Sequence, residues 1–169
     1  MEKVENYSND QEYLNIVADI LNNDKFLKLQ NCRHHGGDRL EHSLRVSYYS
    51  YLITKKLKLN YIETARGGLL HDFFFREELS LKKQKFCFAL HPYNAIENAN
   101  NYFNLTDLER DIIINHMFPT LPHKVPKYIE SWIVSLVDKA SAIYELKYSY
   151  KLKLIYRFSH LYIMLLLFK

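Results

Sequence analysis

Glycine and proline are scarce in this chain, with four of each in 169 residues. Hairpins and tight turns draw on those two residues, so little material remains for a β-rich fold. Cysteine is scarcer, with only Cys32 and Cys87. Two thiols make no disulfide framework, and the polar, acidic start MEKVENYSND does not read as a secretory leader; together these predict a reducing, cytoplasmic compartment. Long apolar runs are absent as well. The longest, LYIMLLLF near the C-terminus, falls far short of the roughly 20 residues needed to cross a bilayer, so no membrane partner is expected. It reads as the buried end of a last helix or as a sticky tail joining copies in a homo-oligomer. No charge of one sign is concentrated: the net charge is +4 with Lys and Arg spread along the chain, which argues against a nucleic-acid duplex as partner.

What the chain does have is 48% hydrophobic residues and enough length for one domain over 1–169, burying roughly two thirds of its unfolded surface. Helix punctuation recurs along it. NDQEYLNIVADILNN predicts a helix from after Asn9 to about Asn22. GGDRLEHSLRVSYYSYLITKKLKL follows a Gly-Gly break with Asp38 as N-cap and Glu41 three residues on, a capping-box arrangement. NYIETARGGLLHDFF repeats the device with Asn60 and Glu63. In LHPYNAIENANNYF, Pro92 suits a first helical turn, which makes His91 the expected cap. LTDLERDIIINHMFP carries Thr106 and Glu109 as another box and ends before Pro119, and PKYIESWIVSLVDKASAIYEL starts at about Lys127 and leads into the tail. No segment alternates as a strand would. The prediction is an all-α bundle of six to eight helices.

The stretch GGLLHDFFFREE sets His71 and Asp72 in the most apolar part of the sequence. A buried carboxylate without a partner costs several kcal/mol or protonates, so a cation, a hydrogen-bond network or a metal is required there. His42 lies on an apolar stripe with Val46, Tyr49, Ile53 and Leu57 and faces inward. His71 shares a face with Thr64, Gly67 and Gly68, where small residues admit either a crossing helix or an ion. His116 follows Leu108 and Ile112 on an inward face, and His91 opens a helix. Asp138, measured from Ile133, falls on a side that helical periodicity makes solvent-exposed. His34, His35 and His123 lie in loops and read as surface residues, and His160 in the tail as structural. Each histidine alone is also explained as a cap or a hydrogen-bonded core residue.

Their order carries more than any single position. LEHSLRVSYYSYLI, ARGGLLHDFF and IVSLVDKASAIY, with His42, His71-Asp72, His91, His116 and Asp138 in sequence over about 40–144, resemble the HD superfamily of metal-dependent phosphohydrolases. The resemblance implies a compact helical bundle in which His42, His71, Asp72 and Asp138 bind a first metal. The extra histidines are similar to those of the two-metal subset, which includes HD-type diadenosine tetraphosphate hydrolases and HD-GYP phosphodiesterases; there Asp72 would bridge, and His91 and His116 would complete the second site. Imidazole and carboxylate without thiolate suit Fe, Mn, Co, Ni or Zn. Such an ion pair activates water and clamps a phosphoryl group, so the implied substrate is a nucleotide or other small phosphate ester. Asp72 is thus a candidate catalytic residue. Arg45, Arg76 and Lys139 are the cations nearest the candidate ligands in sequence; Arg45 and Lys139 are assigned catalytic parts, Arg45 and Arg76 phosphate contacts. Two features depart from the two-metal pattern: Phe75 stands where several members carry Lys, and the Gly-Tyr-Pro signature is absent. The same ligands also allow a mixed-valence di-iron oxygenase of the superfamily, or a non-catalytic nucleotide-binding HD module.

Overall fold

The computed structural model describes residues 7–34 and 37–167, with side chains described throughout except at 33, 34, 83, 149 and 152–167. Eight α-helices occur among them: α1 (Gln11–Leu21), α2 (Asp24–Leu27), α3 (Arg39–Lys56), α4 (Tyr61–Leu70), α5 (Leu81–Gln84), α6 (Cys87–Tyr102), α7 (Asp107–Asn115) and α8 (Ile129–Leu167). The fold is all-α, as the punctuation predicts. One small departure precedes α3, where β1 (Arg33–His34) pairs antiparallel with β2 (Gly37–Asp38). Two residues per strand are too few to make a sheet face; this ladder turns the chain into α3.

The expected caps are in place, but their glutamates serve elsewhere. Asp38 accepts from Glu41 N at 2.8 Å, while the Glu41 carboxylate reaches forward to Arg45 at 2.7 Å. Asn60 accepts from Glu63 N at 3.2 Å, and the Glu63 carboxylate accepts from the Thr106 hydroxyl across to α7. Only Thr106 and Glu109 close both halves of the box. The rule finds the helix starts because the cap itself, worth about 1 kcal/mol, depends on local backbone alone.

Helix α4 is enclosed by α1, α3, α7 and α8. One cluster joins Tyr13, Val17 and Ile20 of α1 to Leu44 and Tyr51 of α3, Ala65 and Leu69 of α4, and Phe73. A smaller one joins Val46, Leu108, Ile112 and Val134 across α3, α7 and α8. Tyr13 Oη donates to Ser47 Oγ at 2.8 Å, and Ser47 Oγ to the Ala65 carbonyl at 2.6 Å, so a buried hydroxyl chain ties α1, α3 and α4 together.

The two glycines of α4 mark helix crossings. A Cβ on Gly67 would lie 2.9 Å from Ile112 Cδ1 and 3.1 Å from Ile112 Cβ, and one on Gly68 would lie 3.2 Å from Ser47 Cα. Overpacking costs about 1–3 kcal/mol against about 1 kcal/mol of helix propensity gained, so Gly67→Ala is expected to lower stability by a net of up to ~2 kcal/mol in chemical denaturation. A stabilised variant would contradict the close approach of α4 and α7.

Helix α8 reverses the usual polarity of a surface helix. Its buried face carries Ser131, Val134, Ser135, Asp138, Ser141 and Glu145, whereas Ile129, Leu136, Ile143 and Leu146 are exposed. This overturns the expectation that Asp138 faces solvent: it is 8% exposed. Periodicity measured from Ile133 presumes an apolar inward stripe, and here the inward stripe is the polar one. His160 and the apolar run that follows it lie outside the residues whose side chains are described, as does the exposure of His34 and His35; His123 is exposed.

Candidate metal centre

Helix α4 does not continue into HDFF but stops at Leu70, placing His71 at the C-cap and Asp72 in the turn beyond. The turn is closed by Phe73 N to the Leu70 carbonyl at 3.1 Å and Phe74 N to the Asp72 carbonyl at 2.8 Å. Arg39, the first residue of α3, clamps it. Its guanidinium donates to the Phe74 carbonyl at 2.6 Å, lies 3.9 Å from the Phe74 ring centroid, and stands 4.0 Å from Asp72 Oδ2. Arg39, which no sequence signal singles out, is buried.

Three histidines are aimed by one device. The Nδ1 of His71 donates to the Gly68 carbonyl at 2.7 Å, that of His91 to the Phe88 carbonyl at 2.9 Å, and that of His116 to the Ile113 carbonyl at 2.8 Å, each three residues back. Carbonyls only accept, so each Nδ1 carries the proton and each Nε2 keeps a lone pair. Each carbonyl also lacks its usual helical donor. Gly68 and Ile113 lie in last turns, where the final four carbonyls have none. Phe88 lacks one because residue 92 is proline, which has no N–H. His91 is therefore not a helix cap as expected, and Pro92 not a first-turn residue: both lie inside α6, and the proline frees the carbonyl that orients the His91 ring.

The lone pairs meet the carboxylates at one place. His71 Nε2 is 3.8 Å from Asp138 Oδ1 and 4.0 Å from Asp72 Oδ2. Asp72 Oδ1 is 3.4 Å from His91 Nε2 and 3.8 Å from His116 Nε2, and those two nitrogens are 2.9 Å apart. Asp138 Oδ1 lies 3.0 Å from His42 Nε2. All six side chains named from the sequence thus gather at one buried centre. Two triads within it, His42–His71–Asp138 and His71–Asp72–His116, each have ligand atoms within 4.8 Å of one another, and His91 adjoins the second.

His42 differs from the other three because both its ring nitrogens face carboxylates, Asp138 on one side and Glu145 Oε1 at 2.8 Å on the other. Burial opposes the imidazolium, but the hydrogen bonds and charges of Asp138 and Glu145 outweigh it and lift the His42 pKa to about 9. Burial lowers His71, and drives His116 well below the ordinary value with help from the neighbouring His71 and His91, so these two are neutral at pH 7. Burial alone would raise the Asp138 carboxyl; the His42 hydrogen bond, with His71 and Lys139 beside it, holds it far below the usual range.

Glu145 is a functional neighbour that the motif does not include. It sits two helical turns beyond Asp138, an offset of seven that the sequence does display, and binds His42 and Arg45 at once. Arg45 is directed to Glu145 and Glu41 rather than to the centre. Lys139 donates to Asp138 Oδ2 at 2.8 Å and to the His116 carbonyl at 2.6 Å. Arg76 is exposed on a 3-10 turn outside the cavity lining, and Phe75 is buried with Lys25 over its ring. A cavity of about 320 Å³ opens on the centre, lined by Asp72, His91, His116, Asp138 and Lys139 and by the apolar Phe74, Phe88 and Met117.

The residues fit divalent metal. His71 Nε2 is fully buried with no hydrogen-bond partner, and the Nε2 lone pairs of His91 and His116 confront each other, an arrangement a cation makes favourable. Ligands at about 2.0–2.2 Å from a shared ion stand roughly 3–3.5 Å apart, close to the separations found here. No curated protein and no solved structure gives a significant match to the chain. A family model does: the HD domain matches residues 39–143, a span that takes in all six candidate ligand positions. The chain belongs to the HD domain family, whose members are mostly metal-dependent hydrolases.

Proposed function

We propose that the protein hydrolyses a small phosphate ester, of nucleotide type, at a centre formed by His42, His71, Asp72, His91, His116 and Asp138. The observation that supports this most is the common tautomer of His71, His91 and His116, which turns three Nε2 lone pairs toward the carboxylates of Asp72 and Asp138 at one buried centre, with His91 and His116 reaching the adjoining cavity. Two divalent ions there would supply Lewis acidity and a water nucleophile near neutral pH.

The chain's own residues divide the remaining work. Asp72 and Asp138 would offset part of the charge of bound metal, leaving an excess to attract phosphate. Glu145 fixes the His42 ring, and Arg45 holds Glu145, so Arg45 acts behind the centre and the phosphate contact falls to Lys139. Two of the three Lys139 donors are engaged, leaving one for an oxygen of the bound ester. The buried Phe74 and Met117 keep water from their side of the centre and strengthen the charge interactions beside them.

The test is a screen of phosphate esters with chelated protein resupplied separately with Fe, Mn, Co, Ni or Zn. Phosphate release that returns with metal is expected. Oxygen uptake by the ferrous protein without phosphate release would favour the oxygenase reading, and tight metal binding with neither reaction the non-catalytic one.

A further inference from the structure

Building on the hydrolytic reading, we infer that the ligand of this site is a phosphate monoester of a single flat or apolar group, and that di- and triphosphates and dinucleoside polyphosphates are poor ligands. The size of the cavity and the chemistry of its walls both point this way.

At about 320 Å³ the cavity lies at the lower end of the roughly 300–1,000 Å³ range of small-molecule sites, enough for one ring system beside a phosphoryl group. Away from the ligand side chains its walls are mostly apolar, with Phe74, Phe88, Met117 and Ala142 beside Cys87, and carry one hydroxyl, Thr120, and one cation, Lys139. Phe74 is held rigidly, with the Arg39 guanidinium against its ring and the His91 ring 5.1 Å away. Phe88 leaves 59% of its surface exposed, an aromatic face available to stack on a planar group.

Lys139 is the one cation among the described lining residues, and two of its donors are engaged. Arg39 lies against Phe74 and Arg45 against Glu145, and Arg76 lies outside the lining. The metal excess and Lys139 compensate one phosphoryl group. A second or third phosphoryl would meet walls that are apolar apart from the Thr120 hydroxyl, with no further cation among the described lining residues, and a charge so placed is disfavoured. The reaction this supports is attack of water on phosphorus, cleavage of the ester P–O bond, and departure of the alcohol with a proton, giving inorganic phosphate and the free alcohol.

The experiment uses the full chain loaded with whichever metal the ester screen identifies. It measures dissociation constants by calorimetry and kcat/KM by chromatographic quantitation of substrate consumed and products formed for adenosine monophosphate, adenosine triphosphate, diadenosine tetraphosphate and glycerol phosphate. The monophosphate is expected to bind, and to react, at least ~30-fold better than the other three. Binding of the triphosphate or the dinucleoside polyphosphate equal to or tighter than the monophosphate overturns the inference, hydrolysed or not. The expected binding order without turnover supports it and overturns hydrolysis alone. Phe88→Lys, a change at an exposed position, sets a cation at the mouth; it should raise the triphosphate-to-monophosphate ratio about tenfold, and an unchanged ratio in the folded variant counts against the inference.

Discussion

Asp72→Asn is expected to remove hydrolysis by ~10³-fold or more in kcat/KM, because metal-centred charge stabilisation contributes several kcal/mol to the barrier. The metal-free variant should melt no lower than the parent. Asp72 is one of three carboxylates buried at the centre with Asp138 and Glu145, and neutralising it relieves like-charge repulsion that Arg39, Arg45 and Lys139 offset only in part. Asn keeps the shape of the turn that Arg39 clamps through the Phe74 carbonyl. Metal added to the parent should raise its melting temperature, since an ion bound only by the folded state stabilises by mass action, and the variant should lose most of that rise. Thermal scans with and without metal, beside phosphate release, check both parts. Unchanged turnover in the folded variant would remove Asp72 from the reaction.

Glu145→Gln is expected to weaken metal binding about 10- to 100-fold while the centre keeps all six ligands, the usual result of removing a carboxylate behind a ligating imidazole. Glu145 accepts from His42 Nδ1 and so sets the direction and basicity of Nε2, which faces Asp138. Gln retains an acceptor but loses the charge. Since Glu145 also pairs with buried Arg45, a stability loss of about 3–5 kcal/mol accompanies the change, and the two effects need separating. Arg45→Met breaks the same ion pair and leaves the Glu145 carboxylate against His42. Calorimetric metal titration should show a large loss of affinity in Glu145→Gln and a small one in Arg45→Met. Equal losses in the two would make Glu145 a structural partner of Arg45 and nothing more.

The candidate ligands are legible in the sequence for reasons that differ from one to the next. His42 is buried as expected, but of the apolar stripe that predicts it only Val46 is buried with it; Tyr49, Ile53 and Leu57 are exposed, so the periodicity holds only over the first turns of α3. His71 and Asp72 declare themselves by sitting among leucines and phenylalanines, where two polar side chains need compensation. Asp138 is legible only through the family resemblance, because α8 buries serines and carboxylates and exposes Ile129, Leu136 and Ile143, contrary to the rule that a surface helix turns its apolar stripe inward. Such a helix is explained only by what its polar face meets, and that is tertiary information. Pro92 misleads in the same way: as a helix-start signal it is a sound rule, but inside α6 its missing N–H serves the His91 ring. Arg39 and Glu145 escape a reading of the sequence because a cation at a helix start and a carboxylate beyond the motif each look solvated until the partner across the fold is known. Arg45 lies near the residues expected of it but faces a different neighbour, since its rotation from His42 by about 60° suits a carboxylate on α8 as well as a phosphate.

The decisive measurement on the metal centre is anomalous diffraction at a metal absorption edge from crystals of the full chain grown with that metal. Anomalous peaks are expected at bonding distance, about 2.0–2.3 Å, from His71 Nε2 and from carboxylate oxygens of Asp72 and Asp138. Metal bound only elsewhere, with the His71 nitrogen still uncoordinated, would contradict a metal centre at these residues.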